Sequence, residues 1–94
     1  MSYCRTTLIQ YRSAQDADEL ISTYQRDASK DFPDAEILLC TRTSDTSAVM
    51  TSLYPSKEAA ERAKAKRKPI LQEASGQSKI VSVETHEGEA SSLR

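Results

Sequence analysis

Glu84 and His86 are the two residues of the 94-residue chain whose types and spacing best suit acid–base chemistry. They stand two positions apart in a segment that alternates in polarity, so on a strand their side chains share one face. A carboxylate beside an imidazole sets its tautomer and raises its basicity, as a general acid–base catalyst requires. We therefore predict Glu84 and His86 as candidate catalytic residues. The alternative is a solvent-exposed pair near the end of an edge strand.

Three further residues are candidates for ligand binding. Arg42 ends an apolar strand segment, where its planar guanidinium could hold a carboxylate or a phosphate. Tyr54 and Tyr11 could orient an aromatic ligand through their hydroxyl groups. The alternatives are an exposed strand-end charge for Arg42 and packing in a core or interface for the two tyrosines.

The sequence contains no motif that predicts a bound metal or cofactor. The two cysteines, Cys4 and Cys40, are too far apart for a CxxC-type metal site, and we expect both as thiols. His86 is the single histidine and so the one candidate haem ligand. Neither a GxGxxG fingerprint nor a phosphate-binding P-loop is present. We expect no cofactor.

Charge and hydropathy limit the partners. The formal net charge is -1, and no apolar run approaches the ~20 residues of a membrane span. A basic run, Lys64 to Lys68, spreads around a predicted helix, which indicates a solvated surface; contact with a phosphate is the alternative. Without exposed aromatic residues for base stacking, we expect no nucleic-acid partner. No N-terminal segment resembles a signal peptide, so we predict a cytoplasmic protein that does not bind membranes.

Six elements must position these residues. Residue types and periodicity predict strands over 4–12, 35–42, 47–54 and 79–87, and helices over 13–31 and 56–76. Ser13 and Ser56 stand where helix caps are expected. Pro69 predicts a kink or a restart in the second helix. A single domain is predicted over 1–87, followed by a flexible C-terminal tail over 88–94.

The order of these elements, βαββαβ, is that of a ferredoxin-like α+β fold, with a four-stranded antiparallel sheet and two helices on one face. The second predicted strand is apolar on both faces. Side chains alternate along a strand, so two opposite apolar sets cannot both face the helices. The two sets are Leu38, Cys40, Met50 and Tyr54 on one side and Ile37, Leu39, Val49 and Leu53 on the other. We predict a homodimer in which whichever set faces away from the helices packs against a partner's sheet.

The segment from Val49 to Ala60 resembles the third strand and second-helix start of the dimeric α+β barrel superfamily, with Tyr54 ending the strand and Ser56 opening an alanine-rich helix. The superfamily includes antibiotic biosynthesis monooxygenases, haem-degrading enzymes, lactone isomerases, stress-responsive proteins and ligand-sensing domains. The resemblance implies two sheets paired into one barrel. The haem-degrading members use an Asn–Trp–His-type apparatus, and this chain has neither Asn nor Trp.

The sequence predicts a small homodimeric barrel protein that has no complete catalytic motif and binds a small apolar or aromatic molecule. The alternative is a cofactor-independent monooxygenase or isomerase of the antibiotic biosynthesis monooxygenase type. That alternative requires a cavity of roughly 300 Å³ or more into which Glu84, His86 and Tyr54 converge.

Overall fold

The computed structural model describes residues 2–76, 78–91 and 93. Four strands and two helices follow one another in the predicted order. They are β1 (Ser2–Tyr11), α1 (Ala14–Asp31), β2 (Ile37–Ser44), β3 (Ser47–Tyr54), α2 (Lys57–Gly76) and β4 (Ile80–Ala90).

The strands form one sheet in the order β2-β3-β1-β4, and every neighbouring pair is antiparallel. Consecutive strands β2 and β3 form a hairpin, whereas β1 and β4 are brought together from the two ends of the chain. This arrangement confirms the predicted ferredoxin-like α+β fold.

Helix α1 begins and ends where the sequence predicts. The Ser13 hydroxyl accepts a hydrogen bond from the backbone N–H of Asp16 at 3.1 Å, which satisfies one free donor of the first turn. The helix ends at Asp31, just before Phe32, because Pro33 disfavours helical geometry in the residue that precedes it. Ala17, Ile21 and Ala28 carry the buried stripe that fixes α1 on the sheet.

Helix α2 departs from the prediction at Pro69. Ser56 caps it as expected, accepting from the backbone N–H of Ala59 at 3.1 Å. The helix then runs without interruption through Pro69 to Gly76. A proline within a helix removes one backbone hydrogen bond and strains the preceding turn. Here that cost does not end the helix.

Three of the four strands differ from their predicted bounds by one to three residues at each end, and β3 alone matches. The β2–β3 hairpin closes through a two-residue turn, because β2 continues to Ser44. Strand β4 continues to Ala90, since Gly88 lies opposite Cys4 and Ala90 opposite Ser2. The division into a domain over 1–87 and a tail over 88–94 stays a prediction, and Ser92 and Arg94 of that tail lie outside the described residues.

The two faces of the sheet differ in cover. The helices lie on one face, where the buried residues form two clusters. One cluster joins α2 to the end of β3 and contains Ala28, Phe32, Tyr54, Ala59, Ala60 and Ala63. The other joins α1 to the middle of the sheet and contains Ile9, Tyr11, Ala17, Ile21 and Ala48.

Neither described helix packs against the other face of the sheet, which we call the open face. Several of its apolar side chains are exposed, with Leu39 at 55%, Ile37 at 47% and Leu8 at 39%. Neither of the two described helices is long and apolar enough to cross a membrane.

Candidate ligand-binding cavity

A cavity of about 320 Å³ lies between the sheet and the two helices. Strands β1 and β3 form its floor, and α1 and the second half of α2 form its walls. Its size falls within the range of about 300–1,000 Å³ that is typical of small-molecule sites. A compact molecule of one or two rings fits a space of this volume.

The sequence of α2 explains why the space is left. Its first half packs closely on the sheet through Ala59, Ala60 and Ala63, all buried. Its second half carries the larger Arg67, which lines the cavity, and Ile70, which lines it while remaining 44% exposed. The alanines allow the helix backbone to lie close to the sheet, and the larger side chains of the second half hold it further away. Members of both core clusters, such as Ile9 and Phe32, border the space that remains.

Tyr11 is one of two tyrosines on the floor. It is 2% exposed, and its hydroxyl has no hydrogen-bond partner among the described residues. Burial raises the pKa of Tyr11 to about 12; the nearby Cys40 thiol adds to the increase and Arg42 opposes it. Tyr11 therefore stays protonated at neutral pH, with an O–H available to donate.

Tyr54 lies on the same face, at the end of β3, and is also 2% exposed. The Arg5 guanidinium carbon lies 5.7 Å from the centre of the Tyr54 ring, within the range of a cation–π contact. The structure thus brings both predicted tyrosines to the lining of one cavity.

Arg5 is a buried cation at the centre of the sheet, 2% exposed. Its Nε donates to Glu87 Oε2 at 2.8 Å, and its Nη2 donates to the backbone carbonyl of Ala60 at 2.9 Å. Its remaining nitrogen, Nη1, is buried and has no hydrogen-bond partner in the described part of the chain. The hydrogen bond from Arg5 holds the pKa of Glu87 below its ordinary value, so Glu87 is a carboxylate at neutral pH.

Arg67 enters the cavity from α2. Its Nη1 donates to the hydroxyl of Thr7 on the floor at 2.8 Å, while its buried Nε has no partner within the described residues. Burial lowers the pKa of Arg67, and the positive charge of Arg5 lowers it further, although Glu87 partly offsets both. An arginine stays protonated at neutral pH in any case, so the cavity contains two guanidinium groups.

The predicted catalytic pair does not lie at this cavity. The His86 Nε2 is 3.3 Å from the Glu84 Oε2, so the two side chains do share a face as their spacing indicates. Glu84 lies opposite Leu8 and His86 opposite Thr6, which places both on the open face. Both side chains are about two-thirds exposed. The sheet separates them from the cavity, and their acid–base role stays a prediction that concerns the other face.

Arg42 also lies outside the cavity lining. Its guanidinium binds the β2–β3 turn, donating from Nε to the Ser44 carbonyl at 3.0 Å and from Nη2 to the Asp45 carbonyl at 2.6 Å. Its Nη1 donates to Asp18 on α1 at 2.6 Å. All three nitrogens are thus engaged by the protein itself. Its role in ligand binding stays a prediction.

Arg5 and Arg67 are two charged cavity residues that the sequence reasoning did not select. The signal for Arg5 was its alternation with Thr7, Ile9 and Tyr11, which places a charge on the apolar face of a strand. The signal for Arg67 was weaker, because Arg67 belongs to the basic run. Its side chain lines the cavity, whereas those of Lys66 and Lys68 are exposed, and this difference depends on how α2 is rotated about its axis. Within the described residues, no cluster of three His, Cys, Asp or Glu side chains could hold a metal ion.

Solved structures of other proteins share this fold. A mutant of SnoaB, a cofactor-independent oxygenase from Streptomyces nogalater, is 21% identical and has a TM-score of 0.68, over 98% of this chain and 96% of that chain. The monooxygenase ActVA-Orf6 of Streptomyces coelicolor, in complex with the ligand Nanaomycin D, is 11% identical and has a TM-score of 0.74, over 99% of this chain and 90% of that chain.

A third structure is a dimeric ferredoxin-like protein from an uncultured marine organism. It is 10% identical, with a TM-score of 0.73, over 99% of this chain and 92% of that chain. At these identities the likeness shows the fold alone, a ferredoxin-like α+β fold. No family model and no curated protein matches the chain.

Proposed function

We propose that the protein binds a small, largely apolar molecule in the cavity between its sheet and helices. The observation that carries the proposal is the cavity of about 320 Å³, bounded by side chains such as Ile9, Met50 and Leu71. Most of the surface that lines the cavity is apolar, although charged side chains also line it, and a mainly apolar wall is usual for a site that binds a small organic ligand. The buried Tyr11 hydroxyl supplies an orienting donor.

We further propose that the chain acts as a homodimer joined through the open face. Leu39, Ile37 and Leu8 would be covered there by the same residues of a second copy. Dimerisation would cover one face of the four-stranded sheet. Burial of apolar surface contributes roughly 25 cal/mol per Å² to the free energy of association. The structural similarity to a protein described as dimeric supports this arrangement.

A second candidate function is cofactor-independent oxygenation or isomerisation of the bound molecule. The fold shared with SnoaB, a cofactor-independent oxygenase, favours it. In the cavity the Tyr11 hydroxyl and the two arginines could stabilise developing negative charge on an oxygen of the ligand. Binding requires only the cavity, whereas catalysis also requires turnover, so binding is the primary proposal.

The test of binding is a thermal-unfolding titration with 2-naphthamide, a neutral bicyclic probe. Saturable binding to the native state raises the melting temperature with ligand concentration. Ser52→Phe places a ring on the cavity floor and should abolish the shift. Ser22→Phe adds the same ring to an exposed position on α1 and should leave the shift intact. No shift in the wild type up to the solubility limit would contradict the proposal.

The test of catalysis is oxygen uptake by the metal-free protein with an aromatic dihydroquinone. If the cavity catalyses oxygenation, uptake above the uncatalysed rate occurs with the wild type and with Ser22→Phe, and is lost with Ser52→Phe. Rates equal to the buffer control in all three proteins would leave binding as the function and exclude oxygenation of that substrate class.

A further inference from the structure

The floor of the cavity contains a positive charge that the protein does not neutralise. Arg5 and Arg67 both line it, one from the sheet and one from α2. Among the described residues, Glu87 is the one carboxylate hydrogen-bonded to either guanidinium. Glu87 is itself shared, because Lys64 Nζ lies 3.8 Å from its other oxygen. Two arginines and a lysine thus face a single carboxylate.

Each of the two arginines has one buried nitrogen without a hydrogen-bond partner among the described residues. Arg5 Nη1 and Arg67 Nε are both buried, and neither finds an acceptor in the described part of the chain. A buried polar group without a partner costs about 1–3 kcal/mol, and more when it is charged. Buried donors are otherwise satisfied in the great majority of cases. Both donors belong to guanidinium groups that line one cavity, so the protein leaves these two groups with unused capacity to bind an acceptor.

The acidic residues around the cavity do not supply that acceptor. Glu19 forms an ion pair with Lys79 at 2.6 Å, and Asp27 forms one with Arg26 at 3.0 Å. Asp31, half-buried at the end of α1, and Glu73, exposed near the end of α2, also line the cavity, and neither is hydrogen-bonded to Arg5 or Arg67 among the described residues. The charge of Arg5 is buried, and interactions between charges are stronger away from water. The floor is therefore the electropositive part of the cavity.

We propose that the ligand of this cavity carries a carboxylate, which accepts hydrogen bonds from Arg5 and Arg67 while its apolar body occupies the remaining space. A carboxylate has two oxygens in one plane and matches the planar donor arrangement of guanidinium groups. The inference rests on the proposed function, because it assigns a ligand class to the same cavity.

The effect on Arg67 supports this assignment. Burial and the charge of Arg5 lower the pKa of Arg67, which is consistent with a partly uncompensated positive charge at this position. An incoming carboxylate would offset the repulsion between Arg5 and Arg67 by attracting both. Carboxylic acids are ionised at pH 7, so the ligand enters in its charged form.

The test compares 2-naphthoate with 2-naphthamide by calorimetric titration at pH 7 and low ionic strength. The two probes share one bicyclic body and differ in charge. We expect the wild type to bind the acid at least tenfold more tightly than the amide. In Arg67→Met the affinity for the acid should fall at least tenfold while the affinity for the amide stays within about twofold.

The control is Arg62→Met, which makes the same change on the same helix at a position 64% exposed and outside the cavity lining. It should leave both affinities unchanged. Arg67→Lys keeps the charge and should retain part of the preference for the acid. Because the preference is measured first in the wild type, the proposal can be tested even where a variant does not fold.

Each remaining outcome decides between the two proposals. Equal affinities of the wild type for the acid and the amide would overturn the carboxylate proposal and leave the cavity proposal standing. Binding of neither probe would overturn both. A preference for the acid that survives in Arg67→Met would overturn the proposal, and its loss in Arg62→Met would in addition place the anion on the helix surface.

Discussion

Arg5 and Glu87 form an ion pair at 2.8 Å between β1 and β4, although 82 positions separate them in the sequence. They lie directly opposite one another in the sheet register. The pair joins the two ends of the chain on the face that bears the cavity. Arg5 is 2% exposed and the Glu87 side chain 24%, so the pair is shielded from water mainly on the arginine side.

Glu87→Gln is expected to destabilise the protein, because it leaves the buried Arg5 charge without its carboxylate. We expect the free energy of unfolding at pH 7 to fall by about 1–3 kcal/mol. Denaturant unfolding measures the change. Glu61→Gln, a matched change at an exposed position on α2, should have an effect within about 0.5 kcal/mol.

The difference between wild type and Glu87→Gln should also depend on pH. Arg5 lowers the pKa of Glu87 in the folded protein, so this carboxylate stabilises the fold above its ordinary pKa. That stabilisation is lost as the pH falls through the lowered value, and the two proteins should converge from about pH 4 downward. A constant difference from pH 7 to pH 3 would contradict the role given to the ion pair.

Tyr11→Phe is expected to stabilise the ligand-free protein. The variant removes a buried hydroxyl that has no partner among the described residues and keeps the ring that packs beside Ile9. A gain of about 1 kcal/mol corresponds to a rise in melting temperature of roughly 4–8 °C for a domain of this size. Tyr3→Phe, at a half-buried position, is the control and should change little. A lower melting temperature for Tyr11→Phe would show that the hydroxyl is already satisfied.

Leu39→Lys is expected to dissociate the proposed homodimer. Leu39 is 55% exposed in the isolated chain and lies on the open face, where a second copy would bury it. Native mass spectrometry should give a mass near twice 10.4 kDa for the wild type and a monomer for the variant. Ser29→Lys, on the exposed side of α1, should remain dimeric. A monomeric wild type would exclude the paired-sheet arrangement.

His86→Ala separates binding from acid–base catalysis. His86 lies on the open face, so its removal should leave the affinity of the cavity for 2-naphthamide within about twofold. Isothermal titration checks the affinity. If His86 is a general acid or base, any turnover that is found should fall while this affinity is unchanged. Unchanged turnover in the variant would end the catalytic assignment of the Glu84–His86 pair.

Much of the fold follows from the sequence because its signals are local. The Ser13 and Ser56 caps, the apolar stripe of α1 and the alternation along β3 each specify an element, and their order specifies the topology. The two apolar sets of β2 and β3 also lie on opposite faces of the sheet, as predicted. Continuation of α2 through Pro69 was not predictable, because tertiary packing can outweigh the local cost of a proline.

The site was only partly predictable. Tyr11 and Tyr54 were selected by residue type, and both line the cavity. The pairing of Arg5 with Glu87 depends on the register between the first and last strands, and the contact of Arg67 with Thr7 depends on the rotation of a helix. Such relationships arise from tertiary structure and have no signature in local spacing. The dimer and the cytoplasmic location stay predictions.

The most direct test of ligand binding in the cavity uses Met50, which lines it. The chain has two methionines, Met1 and Met50, so protein labelled with ¹³C in the methionine methyl groups gives two signals, and Met50→Leu assigns them. Titration with 2-naphthamide should shift the Met50 signal saturably in the wild type and leave it unmoved in Ser52→Phe. An unmoved Met50 signal in the wild type at saturating probe would contradict the proposed function.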